Sequence, residues 1–338
     1  MFNYIKKNKF KLLINTMKKG IQIFCIFFFS ITMLSQKNKE KEMLSLTNKP
    51  KASIDNKKVQ SASIKPFATI QLDSRLKEIS GLVYWNTLLW GHNDDTDTNL
   101  YSINPISGII EHNYLLPKVK NKDWEEIAQD SIYFYLGDFG NNVKGNRVDL
   151  HLLRIRKQSL LNDKIAIDTI AFSYSNQLDF EPKKPNKTDF DCEAMVVSKD
   201  SIYLFTKQWS SKKTSVYSLP KKPGNYIAKF KETFDVDGLI TGATFCERKK
   251  LIVMCGYSSF VKPFVYILYD YKENHFFSGK TIKVEVELPF HQVEGIATVD
   301  YLHYFLSNEA FVRKPFFTNL QQLHSIDLSP YLASYLKN

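Results

Sequence analysis

One internal repeat constrains this chain more than any other feature. An acidic residue opens a short apolar or small-residue strand. A turn, a second apolar strand and a polar cluster follow. The copies are "EISGLVYWNTLLWGHNDD" from Glu78, "EEIAQDSIYFYLGDFGNN" from Glu125, "EAMVVSKDSIYLFTKQW" from Glu193, "TGATFCERKKLIVMCGYS" from Thr241 and "EGIATVDYLHYFLSNEA" from Glu294. Their starts are 47, 68, 48 and 53 residues apart. A period near 50 that carries strand signals and no helical periodicity is the spacing of β-propeller blades.

Each hairpin is followed by two further strand candidates, such as "NLYSINP" with "IIEHNYLL" and "FVYILYD" with "TIKVEVEL". The expected fold is therefore all-β: one propeller of about five four-stranded blades over residues 67–338. Six is the alternative, if the long second interval hides a degenerate blade. That interval holds the Pro- and Lys-rich "NQLDFEPKKPNKTDFD", which reads as a loop. The last blade has "QLHSIDL" as its third strand and no evident fourth. "FATIQL", ahead of the first blade, is expected to supply it and so remove an open edge.

The 25 Phe and 18 Tyr suit half-buried strands. The net charge of +11 suggests a nucleic-acid binder until its location is read. Residues 1–66 carry 14 Lys or Arg against 3 Asp or Glu, whereas residues 67–338 carry 32 of each. The folded part has no basic bias, so no nucleic-acid partner is expected. From Met17, a second candidate start, Lys18 and Lys19 lead into an apolar run from Ile21 to Leu34. Residues 1–35 therefore read as a secretory signal, too short in apolar length for a transmembrane span. The expected location is secreted, periplasmic or cell-surface, with no transmembrane span in the mature chain. Residues 36–66 read as a polar, Lys-rich linker. Beyond the signal, Cys192, Cys246 and Cys255 are an odd set, read as buried thiols rather than a disulfide framework.

Strand one of each copy should be innermost, and strand two returns beside its start. Circular closure then gathers polar residues at one mouth of the axial channel. Strand-one starts supply Glu78, Glu125, Glu193 and Glu294, with Asp123 and Asp191 beside two of them. Strand-two ends supply His92, Asn93, Asp94, Asp95, Asp138, Asn141, Asn142, Lys207, Gln208, Asn308 and Glu309. So many carboxylates near one axis need compensation. Three neutralisers are open: a hard cation such as Ca²⁺, Lys207, or backbone N–H groups. The expected metal ligands are Glu125, Asp138, Glu193 and Glu294, and the catalytic candidates are Glu125, Glu193 and Lys207. The acids can equally be struts between blades. Thr241 breaks the acidic pattern and "CGYS" replaces the polar cluster, so blade four is expected to give the mouth one apolar wall. Trp124 and Trp209 are candidates for a binding surface, and Trp90 for the core.

No Gly-x-Ser-x-Gly elbow, phosphate-binding loop, paired-Cys zinc spacing or His-Glu-x-x-His is present. "EISGL…WGHNDD", "DWEEIAQD…YLGDFGNN", "DCEAM…LFTKQW" and "VEGIA" resemble a group of uncharacterised secreted bacterial propellers. More distantly they resemble the SdiA-regulated and esterase-like-phytase propeller families. The resemblance implies a propeller, export, calcium, and hydrolysis of an ester or phosphoester. Two functions follow as expectations. One is binding of a small molecule, glycan or protein at an acidic mouth around Ca²⁺. The other is calcium-assisted hydrolysis of phosphate esters, esters or lactones.

Overall fold

The computed structural model describes residues 62–162, 164–315 and 317–337. Residues 1–35, read as a secretory signal, and most of the stretch read as a linker lie outside these residues. The described chain opens with two short strands, β1 (Ala62–Ile64) and β2 (Ala68–Gln71), both used by blades formed later. Blade one is β3 (Ile79–Trp85), β4 (Leu88–Asn93), β5 (Asn99–Ile103) and β6 (Ile110–Leu115). Blade two is β7 (Trp124–Gln129), β8 (Tyr133–Asp138), β9 (His151–Arg156) and β10 (Ile167–Tyr174), with helix α1 (Lys157–Leu160) between its last two strands. Blade three is β11 (Cys192–Val197), β12 (Ser201–Thr206), β13 (Lys213–Pro220) and β14 (Gly224–Asp235). Blade four is β15 (Leu239–Cys246), β16 (Leu251–Tyr257), β17 (Pro263–Tyr269) and β18 (Lys280–Val286). Blade five takes β19 (Val293–Thr298) and β20 (His303–Asn308), a side hairpin of β21 (Phe311–Arg313) and β22 (Phe317–Asn319), and then β23 (Gln322–Asp327). Helix α2 (Ser329–Lys337) follows and buries Leu332.

The five innermost strands β3, β7, β11, β15 and β19 pack in a closed ring, with β19 against β3. The fold is thus a five-bladed β-propeller. β2 pairs antiparallel with β23 and completes blade five, so both ends of the described chain close the ring. The long second interval adds no blade: after β10 the chain runs without strands from 175 to 191.

Three features depart from the sequence expectation. β1, inside the stretch read as linker, adds a parallel fifth strand to β18. The outer strands β10 and β14 pair in parallel and join blades two and three into one sheet. The β21–β22 hairpin and α2 carry no trace of the repeat. Between blades the core is aliphatic and aromatic. Trp90 stacks on Tyr114 and tilts against Phe134, as expected of a core residue. Cys192, Cys246 and Cys255 are free and buried. No helix among the described residues is long and apolar enough to cross a membrane.

Candidate functional site

Each innermost strand carries one extra residue near its start, where pairing with strand two slips. The slips fall between Ile79 and Leu82, Trp124 and Glu126, Cys192 and Ala194, Ile240 and Gly242, and Val293 and Gly295. Such a bulge re-aims the inserted side chain. The inserted residues are Ser80, Glu125, Glu193, Thr241 and Glu294, all buried. Blade one therefore contributes Ser80 to this inner ring, and Glu78 sits two residues earlier. Backbone bonds confirm the frame. The N–H groups of Asp94, Gly140, Lys207 and Glu309 donate to the carbonyls of Glu78, Asp123, Asp191 and Gln292. Glu78 thus corresponds to Asp123 and Asp191, not to Glu125 and Glu193.

The hydroxyls of the inner ring bind neighbouring blades. Ser80 Oγ donates to the Glu125 carbonyl at 2.6 Å, and Thr241 Oγ1 to the Val293 carbonyl at 2.5 Å. The three glutamates lie among other acids. Glu125, Asp191 and Glu193 bring carboxylate oxygens within 4.8 Å of one another, all buried. Asp123 hydrogen-bonds Glu125, and Asp191 hydrogen-bonds Glu193, and in each pair burial raises the pKa. Burial and then the neighbouring acids hold Glu125 well above the usual carboxylate range, and burial does the same to Glu193. Asp123 rises to about 6, through burial and then Asp191. Gly140 is required here: a Cβ would come 2.2 Å from Glu125 Oε1 and 2.4 Å from Asp123 Cγ.

Lys207 is the ammonium within this group. Its Nζ lies 3.1 Å from Glu193 Oε1, an ion pair without aligned hydrogen-bond geometry, and 4.0 Å from Glu294 Oε2. It also sits 4.7 Å from the Trp209 ring centroid and 5.3 Å from that of Tyr257. Burial alone would lower its pKa, but Glu193 and Glu294 hold it well above the ordinary value. Trp209 Nε1 donates to Asp191 Oδ2 at 2.6 Å.

A second, more open trio lies beside it. Glu78, Asp94 and Glu309, from blades one and five, are half-buried, with carboxylate oxygens within 4.8 Å of each other. Asp94 is raised to about 7 by burial, then by Glu78 and Glu294. Burial and then Glu294 and Asp94 raise Glu309. Glu294, only 7% exposed, links the two groups. Its Oε2 has no hydrogen-bond partner. Burial raises its pKa, against Lys207 and a hydrogen bond from Tyr257.

Blade four does not supply an apolar wall. Tyr257 occupies the place that Lys207 holds in blade three, and its hydroxyl serves Glu294. Other expected residues are turned to structural work. Asp138, an expected metal ligand, accepts from Arg147 at 2.6 Å and from the Lys122 N–H at 3.3 Å. It is absent from both carboxylate groups, because Asp138, the last residue of β8, is taken by the loop that brings Arg147. His92 is fully buried between blades one and two, 5.9 Å from the Trp124 ring, and burial lowers its pKa to about 4. Trp124 is therefore core and not a binding surface. Asn93 Nδ2 braces its loop by donating to the Arg75 carbonyl and Asp97. Asn142 lends its carbonyl to the Asn186 N–H, tying the loop after β8 to the segment before blade three.

Sequence reasoning missed Glu126. Its carboxylate is fully buried and accepts N–H bonds from Leu82, Ile127, Met195 and Ala243, one from each of blades one to four. Burial pushes its pKa up, while these donors pull it down. Gly81, Ala194, Gly242 and Gly295 stand at the matching positions. A Cβ on Gly242 would lie 3.4 Å from Glu126 Oε2 and 2.8 Å from the Glu294 carbonyl. One long acid among four small residues therefore fills the axis below the mouth. The signal was the doubled "EE" of the second copy. On the far side of Glu126 the innermost strand ends enclose a cavity of about 230 Å³, lined by Tyr84, Val197, Phe245 and Val299.

No family model matches the chain, and no curated protein matches it. Among solved structures, the chain is similar to the computationally designed Ika4 protein, at 9% identity and a TM-score of 0.30. That match covers 59% of this chain and 96% of the other. It is also similar to the RRP9 WD40 repeats, at 8% identity and a TM-score of 0.40, over 79% of this chain and all of that one.

Proposed function

We propose that this protein is an exported binding propeller whose acidic mouth takes a cation. The carrying observation is one of charge. Glu78, Asp94, Asp123, Glu125, Asp191, Glu193, Glu294 and Glu309 face one buried ammonium, Lys207, with only the Arg147 guanidinium near Asp123 and the exposed Lys77, 3.9 Å from Glu78, as further cations among the described residues. Buried like charges raise one another's pKa, and a bound cation relieves that repulsion. The donor set fits a hard ion such as Ca²⁺, since every group is an oxygen. Glu78, Asp94 and Glu309 would hold it, with Glu294, whose Oε2 accepts no hydrogen bond, beside them. The buried Glu125–Asp191–Glu193 group fits an ion less well. Its oxygens already hydrogen-bond one another or accept from Asn141 N–H and Trp209. Export rests on the signal-like residues 1–35.

Thermal unfolding in chelator, and then with added Ca²⁺, tests this. A ligand of the native state at about 100 times its Kd adds about 2.7 kcal/mol. A midpoint that climbs with Ca²⁺, and climbs less in Asp94→Asn, supports the reading. No rise with Ca²⁺, Mg²⁺ or an organic amine counts against it.

The hydrolase alternative rests on Asp94. A carboxyl poised at about 7 and half-exposed at a mouth has the pKa a general base needs. Turnover of a chromogenic ester or phosphate that Asp94→Asn abolishes would favour it. Turnover indifferent to that change would remove it.

A further inference from the structure

Four exposed apolar residues of blades four and five lie at the mouth; a fifth, Val299, is at the opposite end of the channel. Phe260 (79% exposed) lies three residues after Tyr257, on the loop leaving β16. Phe290 (52%) lies two residues before Gln292, whose Nε2 donates to Glu309 Oε1 at 2.7 Å. Val312 (47%) and Leu320 (49%) belong to the β21–β22 hairpin and its exit, which begin directly after Glu309. Backbone bonds hold these loops together. The Phe290 N–H donates to the Val261 carbonyl at 2.9 Å, and Asn319 Nδ2 to the Phe290 carbonyl at 2.5 Å. The Ala310 N–H donates to the Lys77 carbonyl at 2.7 Å, anchoring the hairpin base beside Glu78. The result is an apolar rim on one side of a strongly acidic pit.

We infer that this face docks a protein segment that presents a lysine or arginine to Glu78, Asp94, Glu309 and Glu294 and lays flanking apolar side chains on the rim of Phe260, Phe290, Val312 and Leu320. The inference rests on the reading of the mouth as a cation site and adds the chemistry around the cation. A hydrated metal ion gains nothing from the rim. A side-chain cation within an apolar segment uses both charge and rim, and exposed apolar patches beside a polar centre mark interaction sites. Lys207 shows the same recognition within the chain. Its ammonium is seated by Glu193, Glu294 and the rings of Trp209 and Tyr257. Glu294 joins that seat to the open trio: its Oε2 lies 4.0 Å from Lys207 Nζ with no hydrogen-bond partner, and its charge raises Asp94 and Glu309.

The test is calorimetry on the purified full-length protein with four probes: Ca²⁺, n-butylamine, the blocked peptide Gly-Phe-Lys-Leu-Gly, and the same peptide with norleucine for lysine. The expected result is lysine-peptide binding at least about tenfold tighter than butylamine, with the norleucine peptide at least about tenfold weaker. Glu309→Gln should weaken the lysine peptide and butylamine alike. Phe260→Ser, at a solvent-exposed position, should weaken the peptide about threefold or more and leave butylamine unchanged. If Ca²⁺ or butylamine binds and the peptide binds no tighter, the mouth reading stands and the docking inference falls. If the norleucine peptide binds as well as the lysine one, the rim is merely sticky and the inference also falls. If none of the four binds, both fall.

Discussion

Glu126 and Ala243 are 117 residues apart in the chain, yet the Ala243 N–H donates to Glu126 Oε2 at 2.9 Å across the channel axis. With Leu82, Ile127 and Met195 as further donors, one carboxylate gathers the innermost strands of four blades. Innermost strands leave one edge of backbone groups facing the axis, and buried N–H groups need acceptors. Glu126→Ala should therefore destabilise the fold by about 2–4 kcal/mol, the cost of leaving buried donors unmatched. Urea unfolding measures this. Wild-type stability in the variant would mean that Glu126 fills the channel without holding it.

Gly140 makes a sharper steric prediction. A Cβ at this position would overlap the Asp123 and Glu125 carboxyl groups, which are hydrogen-bonded to each other. Gly140→Ala should cost about 1–3 kcal/mol, as overpacking does. Because the clash falls on the acids, the variant should also lose part of its pH dependence. A variant as stable as wild type, with an unchanged pH profile, would show that the acid pair can move aside at no cost.

The repeat made the blades legible. Periodic apolar strands and turns determine the blade count whatever the exact residue facing the axis. The closing strand β2 and the loop in place of a sixth blade were legible for the same reason. The site was legible only in part. Glu78 opens its copy as Glu193 and Glu294 open theirs, but the bulge puts Ser80 in their place, and no sequence pattern reveals which residue a bulge inserts. Asp138 and Asn93 looked like free ligands because their partners, Arg147 and Asp97, come from loops with no repeat signal. Tyr257 looked like the loss of a polar group. Its role follows from where its hydroxyl points, which depends on the packing of Gln292 and Glu294 in the next blade.

The mouth should make stability fall as pH rises. Asp94 at about 7 and Asp123 at about 6 have folded pKa values raised above the ordinary 3.8. A carboxyl raised in the folded state holds its proton where the unfolded chain has lost it. Its contribution is full below pH 4 and disappears as pH climbs through 6 to 7. Each unit is worth about 1.4 kcal/mol before screening at these half-buried positions. The buried His92 and His324, with lowered pKa values, pull the other way below pH 6.5, so the comparison is with Asp94→Asn: in chelator the wild type should lose several degrees more between pH 5 and pH 8 than that variant. Saturating Ca²⁺ should flatten that drop, because the ion favours the deprotonated acids. An equal change in wild type and Asp94→Asn would contradict the raised value of Asp94.

Lys207 is the complementary case. It is buried and faces Glu193 at 3.1 Å and Glu294 at 4.0 Å. Its folded pKa lies well above the ordinary 10.5, so its contribution is complete at neutral pH and is lost only far into the alkaline range. Lys207→Met keeps the chain length and apolar stem but leaves the glutamates without their cation. Removing one partner of a buried pair costs about 3–5 kcal/mol. The loss should be larger at pH 8 than at pH 5, because both glutamate pKa values are raised and lowering the pH shifts them only toward the protonated form, which does not need the ammonium. Equilibrium unfolding at the two pH values measures the difference. An equal loss at both would mean that Lys207 acts through its packing against Trp209 and Tyr257, and that its charge contributes little to holding the mouth together.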